Sequence, residues 1–371
     1  IEGEAAGDLS GWLVSLSSDG SVVAIGAPHN DDNGTSSGHV RIYQNVNDTW
    51  TKIGEDIDGE SSDDYFGSSI SLSSDGSIVA IGADFNDGNG TNSGHVRIYK
   101  NVNNTWTKVG GDINGEASGD KSGSSVSISS DGSVVAIGAQ NNDGNGTNSG
   151  HVRVYQNLNN IWTQVGSDID GEGASDRSGK SISLSANGSV VAIGAPHNNV
   201  NGNETGHVRI YKNVNNIWTQ VNSDIDGEAN NDRAGSSVSL SADGSVIAIG
   251  AYSNDDNGSD SGHVRVYSIV DTTATTLTDL EALKYIASNS DLISAFGIDT
   301  TAATAHYEDY GKSEGRVLTA FSASDYLANY SDLFDAFGNN ETLALKHYIQ
   351  SGYAEGRTDS SSSSGSSSVS D

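Results

Sequence analysis

The chain has 371 residues, in which 18 Lys and Arg stand against 49 Asp and Glu, giving a formal charge of −31. Such acidity excludes an electrostatic nucleic-acid footprint and favours cations as partners. The absence of Cys excludes disulfides and thiolate sites, and no apolar run approaches the roughly 20 residues that span a bilayer.

A 56-residue repeat fills the first three quarters of the chain. Its hexapeptide Gly-His-Val-Arg-Ile/Val-Tyr begins at Gly38, Gly94, Gly150, Gly206 and Gly262. Each copy contains four short runs rich in Val, Ile, Tyr, Trp and Thr between clusters of Gly, Asn and Asp, which predicts four strands. Pairs such as Asp19-Gly20 predict a two-residue hairpin turn between the first and second strands.

The second strand of each copy, such as Val134 to Ile137, is apolar on both faces, so neighbouring copies must cover it. We therefore predict a mainly β fold in which residues 1–272 form five four-stranded blades of a β-propeller, with a solenoid as the alternative. No Trp segment follows Tyr267, so the fifth blade lacks its outermost strand. Residues 268–277, another chain or upstream sequence could supply that strand, and an unpaired edge invites self-assembly.

The repeat resembles a known family. Phe66-Gly67-Ser-Ser-Ile, the Ile-Gly-Ala-Pro segments at Ile25 and Ile193, and the later hexapeptide are similar to FG-GAP repeats, the blades of integrin α-subunit propellers. The resemblance covers about residues 1–268 and implies the propeller fold. The family often has a calcium loop between the first two strands, but this chain has Ser-Ser-Asp-Gly-Ser or a similar run there, so calcium is not implied at that turn.

The loop before each hexapeptide is the candidate calcium site, because spaced side-chain oxygens followed by Gly suit hard cations. The fourth copy, Asn198 to Gly202, lacks an acid and is expected not to bind. The alternative is that Asn, Asp and Gly only form turns. The predicted ligands are Asp31, Asn33, Asp87, Asn89, Asp143, Asn145, Asp255 and Asn257.

Other polar residues recur in every copy. A catalytic group is needed once, so we interpret the repeated His and Arg of the hexapeptide as scaffold with hydrogen bonds between blades. The Glu and Asp pairs, such as Glu60 and Asp64, are expected to cap loop amides and meet the repeated Arg. The Trp of each outer strand, such as Trp106, is expected to pack between blades.

The composition changes after Thr278, and a second repeat with a 41-residue spacing appears, for example Tyr285 with Tyr326. Its periodicity predicts two short helices per copy over residues 279–358. The pair resembles small helical repeats of large secreted bacterial proteins, especially cyanobacterial ones. Residues 359–371 are nearly all Ser, which predicts a disordered linker.

From these features we predict a non-catalytic extracellular structural or adhesion module of a surface protein, appendage, filament or virion fibre. It would lie at the cell surface or virion surface and contact other protein subunits or surface glycans, without nucleic acid or membrane insertion. A carbohydrate-binding propeller is one alternative. An enzyme on the propeller is another, and it would require one blade to carry a unique acid, base or His.

Overall fold

A computed structural model describes residues 1–269, 277–311 and 314–360. The chain divides into two compact units, residues 1–271 and 272–371. The first unit contains five antiparallel sheets, one per repeat, which we call blades 1 to 5. The predicted mainly β fold of repeated four-stranded sheets followed by a small helical region is confirmed.

The strands recur at matching positions in the blades. The first strands are Val14–Leu16 (β1), Ser69–Leu72 (β6), Ser122–Ile128 (β11), Ser181–Leu184 (β16) and Ser237–Leu240 (β21). The second strands are Val22–Ala27 (β2), Ile78–Ala83 (β7), Val134–Ala139 (β12), Val190–Ala195 (β17) and Val246–Ala251 (β22). The third strands are His39–Val46 (β3), His95–Val102 (β8), His151–Leu158 (β13), His207–Val214 (β18) and His263–Ser268 (β23).

The fourth, outer position is split into two short strands in blades 1 to 4. In blade 1 both pieces pair with β3, one with its C-terminal half and the other with His39 and Val40. The longer pieces are Thr49–Lys52 (β4), Thr105–Lys108 (β9), Ile161–Gln164 (β14) and Ile217–Gln220 (β19). The shorter pieces are Ile57–Asp58 (β5), Ile113–Asn114 (β10), Ile169–Asp170 (β15) and Ile225–Asp226 (β20).

Blade 5 has only the three strands β21, β22 and β23 among the described residues. The predicted lack of its outer strand therefore agrees with the sheet topology. Residues 268–277 were one candidate for that strand, and residues 270–276 lie outside the described residues. Residues 361–371 of the predicted Ser-rich linker also lie outside the described residues.

The hairpin between the first two strands differs from the prediction. Ser17 N donates to Val22 O at 2.9 Å, which leaves four residues in the loop rather than two. Asp19 holds this wider loop, because its carboxylate accepts hydrogen bonds from Ser17 Oγ at 2.7 Å and Ser21 N at 2.9 Å. The prediction of a two-residue turn is therefore wrong, because the Asp side chain forms hydrogen bonds that stabilise the wider loop.

The core of the first unit lies between neighbouring blades. Val40 and Ile42 of β3 are 0% and 2% exposed and belong to one cluster with Ile70 and Leu72 of β6. The same arrangement recurs at the other three blade boundaries. Full burial of one such aliphatic side chain stabilises by about 1.5–3 kcal/mol, so each blade depends on its neighbour for stability.

A glycine permits the close approach of each pair of neighbouring blades. A Cβ on Gly138 of β12 would lie 2.2 Å from the carbonyl oxygen of Gly179 in the next blade. Gly26, Gly82 and Gly194 occupy the same place at the other boundaries, at 2.1 to 2.3 Å. Only a residue without a Cβ fits there.

The second unit contains six described helices, three per copy rather than the two predicted. Asn289 explains the additional helix, because its extended backbone (φ −129°, ψ 99°) ends one helix and precedes the next. The helices are Asp279–Ser288 (α1), Ser290–Phe296 (α2), Thr300–His306 (α3), Ala323–Asn329 (α4), Ser331–Phe337 (α5) and Glu341–His347 (α6), and π-helical turns follow α3 and α6 at Tyr307–Gly311 and Tyr348–Gly352.

The matching tyrosines of the two helical copies lie at the centre of this unit. Tyr285 and Tyr326 are fully buried, and each hydroxyl forms a hydrogen bond with the Nδ1 atom of a histidine. The distances are 3.0 Å to His306 and 2.9 Å to His347. The 41-residue spacing thus reflects one repeated core contact.

Candidate metal centres between the blades

The histidine that begins each third strand is buried in blades 1 to 4. His39, His95, His151 and His207 are 1% to 3% exposed. The Nδ1 atom of His39 and both ring nitrogens of His207 have no hydrogen-bond partner in the structure. The expected hydrogen bonds between blades therefore do not form at these nitrogens, and a buried unpaired polar atom costs about 1–3 kcal/mol unless something else satisfies it.

Two carboxylates meet each of these histidines. In blades 2 to 5 the Glu follows the short outer strand of the preceding blade and reaches the histidine across the blade boundary, whereas Glu4 precedes the first strand of blade 1. The Asp comes from a loop or from the segment before the next short strand. The clusters are Glu4–Asp32–His39, Glu60–His95–Asp112, Glu116–His151–Asp168, Glu172–His207–Asp224 and Glu228–Asp256–His263.

The distances within the clusters match ligands around a shared ion better than direct hydrogen bonds. His207 Nδ1 lies 3.7 Å from Glu172 Oε2 and 3.7 Å from Asp224 Oδ2, and His39 Nδ1 lies 3.7 Å from Glu4 Oε2. Two ligand atoms at tetrahedral positions about 2.1 Å from one Zn²⁺ are about 3.4 Å apart. A small cation therefore fits between these atoms with little movement.

Arginine distinguishes the clusters. In blade 2, Arg97 donates to both oxygens of Asp112, from Nε at 2.9 Å and from Nη2 at 3.2 Å, and it also contacts Glu60. Burial by itself would raise the pKa of Asp112, but the hydrogen bonds from Arg97 and Lys108 lower it to about 2. This cluster already has its cation, the guanidinium group.

The fourth blade leaves its carboxylates more available. Arg209 is 3.8 Å from Glu172 Oε1, and its Nη2 donates to the Asp170 carbonyl at 2.5 Å. Asp224 Oδ1 accepts from the neutral Gln220 side chain at 2.6 Å. One oxygen of Glu172 and one of Asp224 thus face His207, and no described residue donates a hydrogen bond to either oxygen.

The predicted calcium ligands form hydrogen bonds that shape their loops. Asp87 Oδ1 accepts from Asn92 N at 2.7 Å, and Asn89 donates to the Gly115 carbonyl at 2.7 Å. Asp31, Asp143 and Asp255 cap matching loop amides, and Asn33 and Asn145 donate to matching carbonyls. Calcium at these loops stays a prediction.

Sequence reasoning missed the His and carboxylate clusters, for which the signal was the equal spacing of Glu and His in the repeats.

The second member of each Glu and Asp pair has the capping role expected of it. Asp64 accepts from Ser61 N at 3.2 Å and from the Asn86 side chain at 2.9 Å. Matching Asn to Asp hydrogen bonds occur in the other four blades. The first Asn of each candidate calcium loop is therefore tied to the segment that precedes its blade.

A separate cleft of about 360 Å³ gathers positions at which the repeats differ, and its lining includes Trp12, His29, Tyr65, Asp84, Gln140 and Lys180. Asp84 and Gln140 are each 9% exposed. Burial raises the pKa of Asp84, and Gln140 Oε1 has no hydrogen-bond partner. The cleft thus contains an acid, Asp84, and a lysine, Lys180, that the other repeats lack at the matching positions. An enzyme on this scaffold was expected to require a unique residue of this kind.

The buried histidines predict a loss of stability in acid. Burial lowers the pKa of His95 and of His207 from 6.5 to about 4. The unfolded chain then binds more protons between these values, so the free energy of unfolding should fall by about 2 kcal/mol per histidine between about pH 7 and pH 4.5. Urea unfolding with a chelator present would measure this, and His207→Asn should show a smaller pH dependence. An unchanged dependence in that variant would contradict the assignment.

Comparison with known proteins gives one family. The model described as FG-GAP repeat matches residues 2–43, 57–99, 114–155 and 219–267. No curated protein matches the chain. A candidate 6-phosphogluconolactonase of Bacteroides uniformis is similar at 14% identity and a TM-score of 0.46, over 70% of this chain and 72% of that one. The periplasmic gluconolactonase PpgL of Pseudomonas aeruginosa is similar at 15% identity and a TM-score of 0.44, over 64% and 63%.

The predicted function is contradicted by these names. We expected a non-catalytic structural or adhesion module, whereas both similar structures are named as lactonases. At 14% and 15% identity and TM-scores below 0.5, the likeness assigns no activity to this chain. The predicted partners and cell-surface location stay predictions. Within the described ranges, no helix has the length and apolar character that a bilayer span requires.

Proposed function

For this chain, which is an FG-GAP-like repeat protein, we propose a divalent-cation-binding function at the His and carboxylate clusters between its blades. The ligand class is a borderline d-block cation such as Zn²⁺, which takes imidazole nitrogen and carboxylate oxygen together. The Glu172–His207–Asp224 cluster is the strongest of the five. The observation that carries the proposal is the buried, unpartnered imidazole of His207, aimed at two carboxylate oxygens 3.7 Å away.

The chemistry of the cluster supports this choice of ion. A neutral imidazole is the form that binds a metal, and burial favours the neutral form of His207. Two carboxylates and one imidazole give three protein ligands, to which water could add a fourth. The strongly acidic chain concentrates cations near its surface.

Neighbouring groups support blade 4 over blade 2. Both clusters contain Glu, Asp, His and a nearby Arg, but in blade 2 both oxygens of Asp112 accept from Arg97. A metal ion there would have to displace a bidentate guanidinium, which is among the strong charge-assisted pairs. In blade 4 the Asp224 oxygen that faces His207 needs no such exchange.

Matched isosteric variants test the proposal. Zn²⁺ titration of the metal-stripped full chain by calorimetry, with bound metal counted by mass spectrometry, should give Asp224→Asn at least about tenfold weaker binding, because one of the ligands is lost. Asp112→Asn in blade 2 should bind within about twofold of the parent. Co²⁺ absorption bands in the visible range should likewise be weakened in His207→Asn and unchanged in His95→Asn.

Circular dichroism would show that each variant is folded before it is titrated. Equal Zn²⁺ binding by the parent and by the Asp224→Asn and His207→Asn variants would refute the site. Calcium binding that survives His207→Asn but is lost in Asp87→Asn would instead favour the loops as the metal sites.

A further inference from the structure

The two ends of the blade array expose surfaces that are buried everywhere else in it. At each inner boundary, the third strand of one blade faces the first strand of the next. Val96 and Val152 of β8 and β13 are both 0% exposed there. On blade 5 their counterpart Val264 is 68% exposed, and Val266, the counterpart of the 1% exposed Ile98 and Val154, is 65% exposed.

Blade 1 exposes the opposite half of the same kind of boundary. Val14 and Leu16 of β1 are 60% and 57% exposed, whereas the matching Ile70 and Leu72 of β6 are 5% and 8% exposed. Contiguous apolar surface of this kind marks an interaction site in a folded protein. The five described blades thus carry two unlike apolar faces, each of which is one half of an inner boundary.

Both faces keep a glycine at the position that meets the next blade at each inner boundary. Gly250 of β22 is the counterpart of Gly138, but the three atoms nearest to a Cβ there all belong to Ser237 in its own blade. Gly11, at the other end, is the counterpart of Gly67 and would meet nothing within 4 Å. Their counterparts Gly26 and Gly67 lie against each other at the boundary of blades 1 and 2, so Gly250 and Gly11 would meet if blade 5 docked on a blade 1.

One hydrogen bond recurs at the inner boundaries, and its acceptor and donor positions also occur on the exposed faces of blades 5 and 1. At the boundary of blades 1 and 2, Leu72 N donates to Ser15 Oγ at 2.9 Å, and the same bond recurs at the next three boundaries. Ser239, the counterpart of Ser15 in blade 5, is exposed. Leu16 of blade 1 is the counterpart of Leu72.

We propose that the exposed face of blade 5 docks on the exposed face of blade 1 of a second copy of this chain. The four inner boundaries show which surface covers a face like that of blade 5, and blade 1 carries this surface. The contact is heterologous, since it joins two different faces, so it closes into a ring or continues from copy to copy. Within one chain the two faces stay apart, because Val14 and Val266 are both exposed.

Sedimentation velocity on the full chain over a range of concentrations tests this contact. The parent should associate as concentration rises. Val266→Asp and Gly250→Ala should each weaken association by at least about tenfold, one through a buried charge and the other through a clash with the next blade. Val102→Asp is the matched control, because Val102 is 49% exposed and away from both end faces, and it should associate like the parent.

Mixing two blocked variants tests the head-to-tail geometry. Val14→Asp keeps the blade 5 face and Val266→Asp keeps the blade 1 face, so each should remain monomeric alone. Their mixture should form dimers and nothing larger. A parent chain that stays monomeric at all concentrations, or a mixture that fails to form dimers while the parent associates, would overturn the proposal.

Discussion

Gly138→Ala is expected to lower the free energy of unfolding by about 3 kcal/mol, because the added methyl group meets backbone that cannot move aside. The new Cβ would lie 2.2 Å from the Gly179 carbonyl oxygen and 3.1 Å from its carbonyl carbon. Blades 3 and 4 would have to separate, which exposes apolar residues such as Val152 and Val191. Thermal and urea unfolding would measure the loss.

Gly250→Ala is the matched control in blade 5. Its new Cβ would lie 2.3 Å from Ser237 Oγ, a side-chain atom that can rotate, with no following blade behind it. We expect a loss below about 1 kcal/mol in dilute solution, where the chain is a monomer. If the two variants lost equal stability, the close approach of blades 3 and 4 would not be the cause.

Trp162→Ala is expected to cost about 3 kcal/mol, because it removes both apolar packing and a hydrogen bond between blades. Trp162 Nε1 donates to the Val109 carbonyl of the preceding blade at 2.8 Å. Its ring also packs against the buried cluster between blades 2 and 3. Unfolding should show the loss, and hydrogen exchange should localise it to the boundary between these blades.

Trp50→Ala in blade 1 serves as its control. Trp50 occupies the same repeat position but is 37% exposed, and no blade precedes it among the described residues. Its substitution should cost less than about 1 kcal/mol, as at other surface positions. A similar loss in both variants would mean that the Trp contributes within its own blade, against the expected role of packing between blades.

The clusters show why a site of this kind is difficult to find in a sequence. Glu172, His207 and Asp224 lie far apart in the chain, and Glu172 belongs to the segment that leaves the preceding blade. Their meeting depends on how one blade packs on another. The calcium loops were easier to notice because their polar residues are consecutive, but consecutive Asn and Asp also serve the hydrogen bonds of a turn, as Asp87 and Asn89 do.

In the helical unit, the sequence predicted the buried core but not the break between α1 and α2. The 41-residue spacing predicted the matching cores, and Tyr285 and Tyr326 are both fully buried. It did not predict the break at Asn289, whose side chain donates to the Tyr285 carbonyl at 2.8 Å. Helical periodicity continues through such a break, so the apolar pattern alone does not reveal it.

The amino-acid sequence by itself determined the repeat, the strands of each blade and the need for neighbours on both faces, because these follow from local alternation and from apolar runs. Only the tertiary structure decided that the faces of blades 1 and 5 stay exposed. Val152 and Val264 lie in nearly identical segments, yet one is 0% and the other 68% exposed. The physical reason is that burial here comes from the next blade, and the presence of a next blade is a property of the whole array rather than of any one repeat.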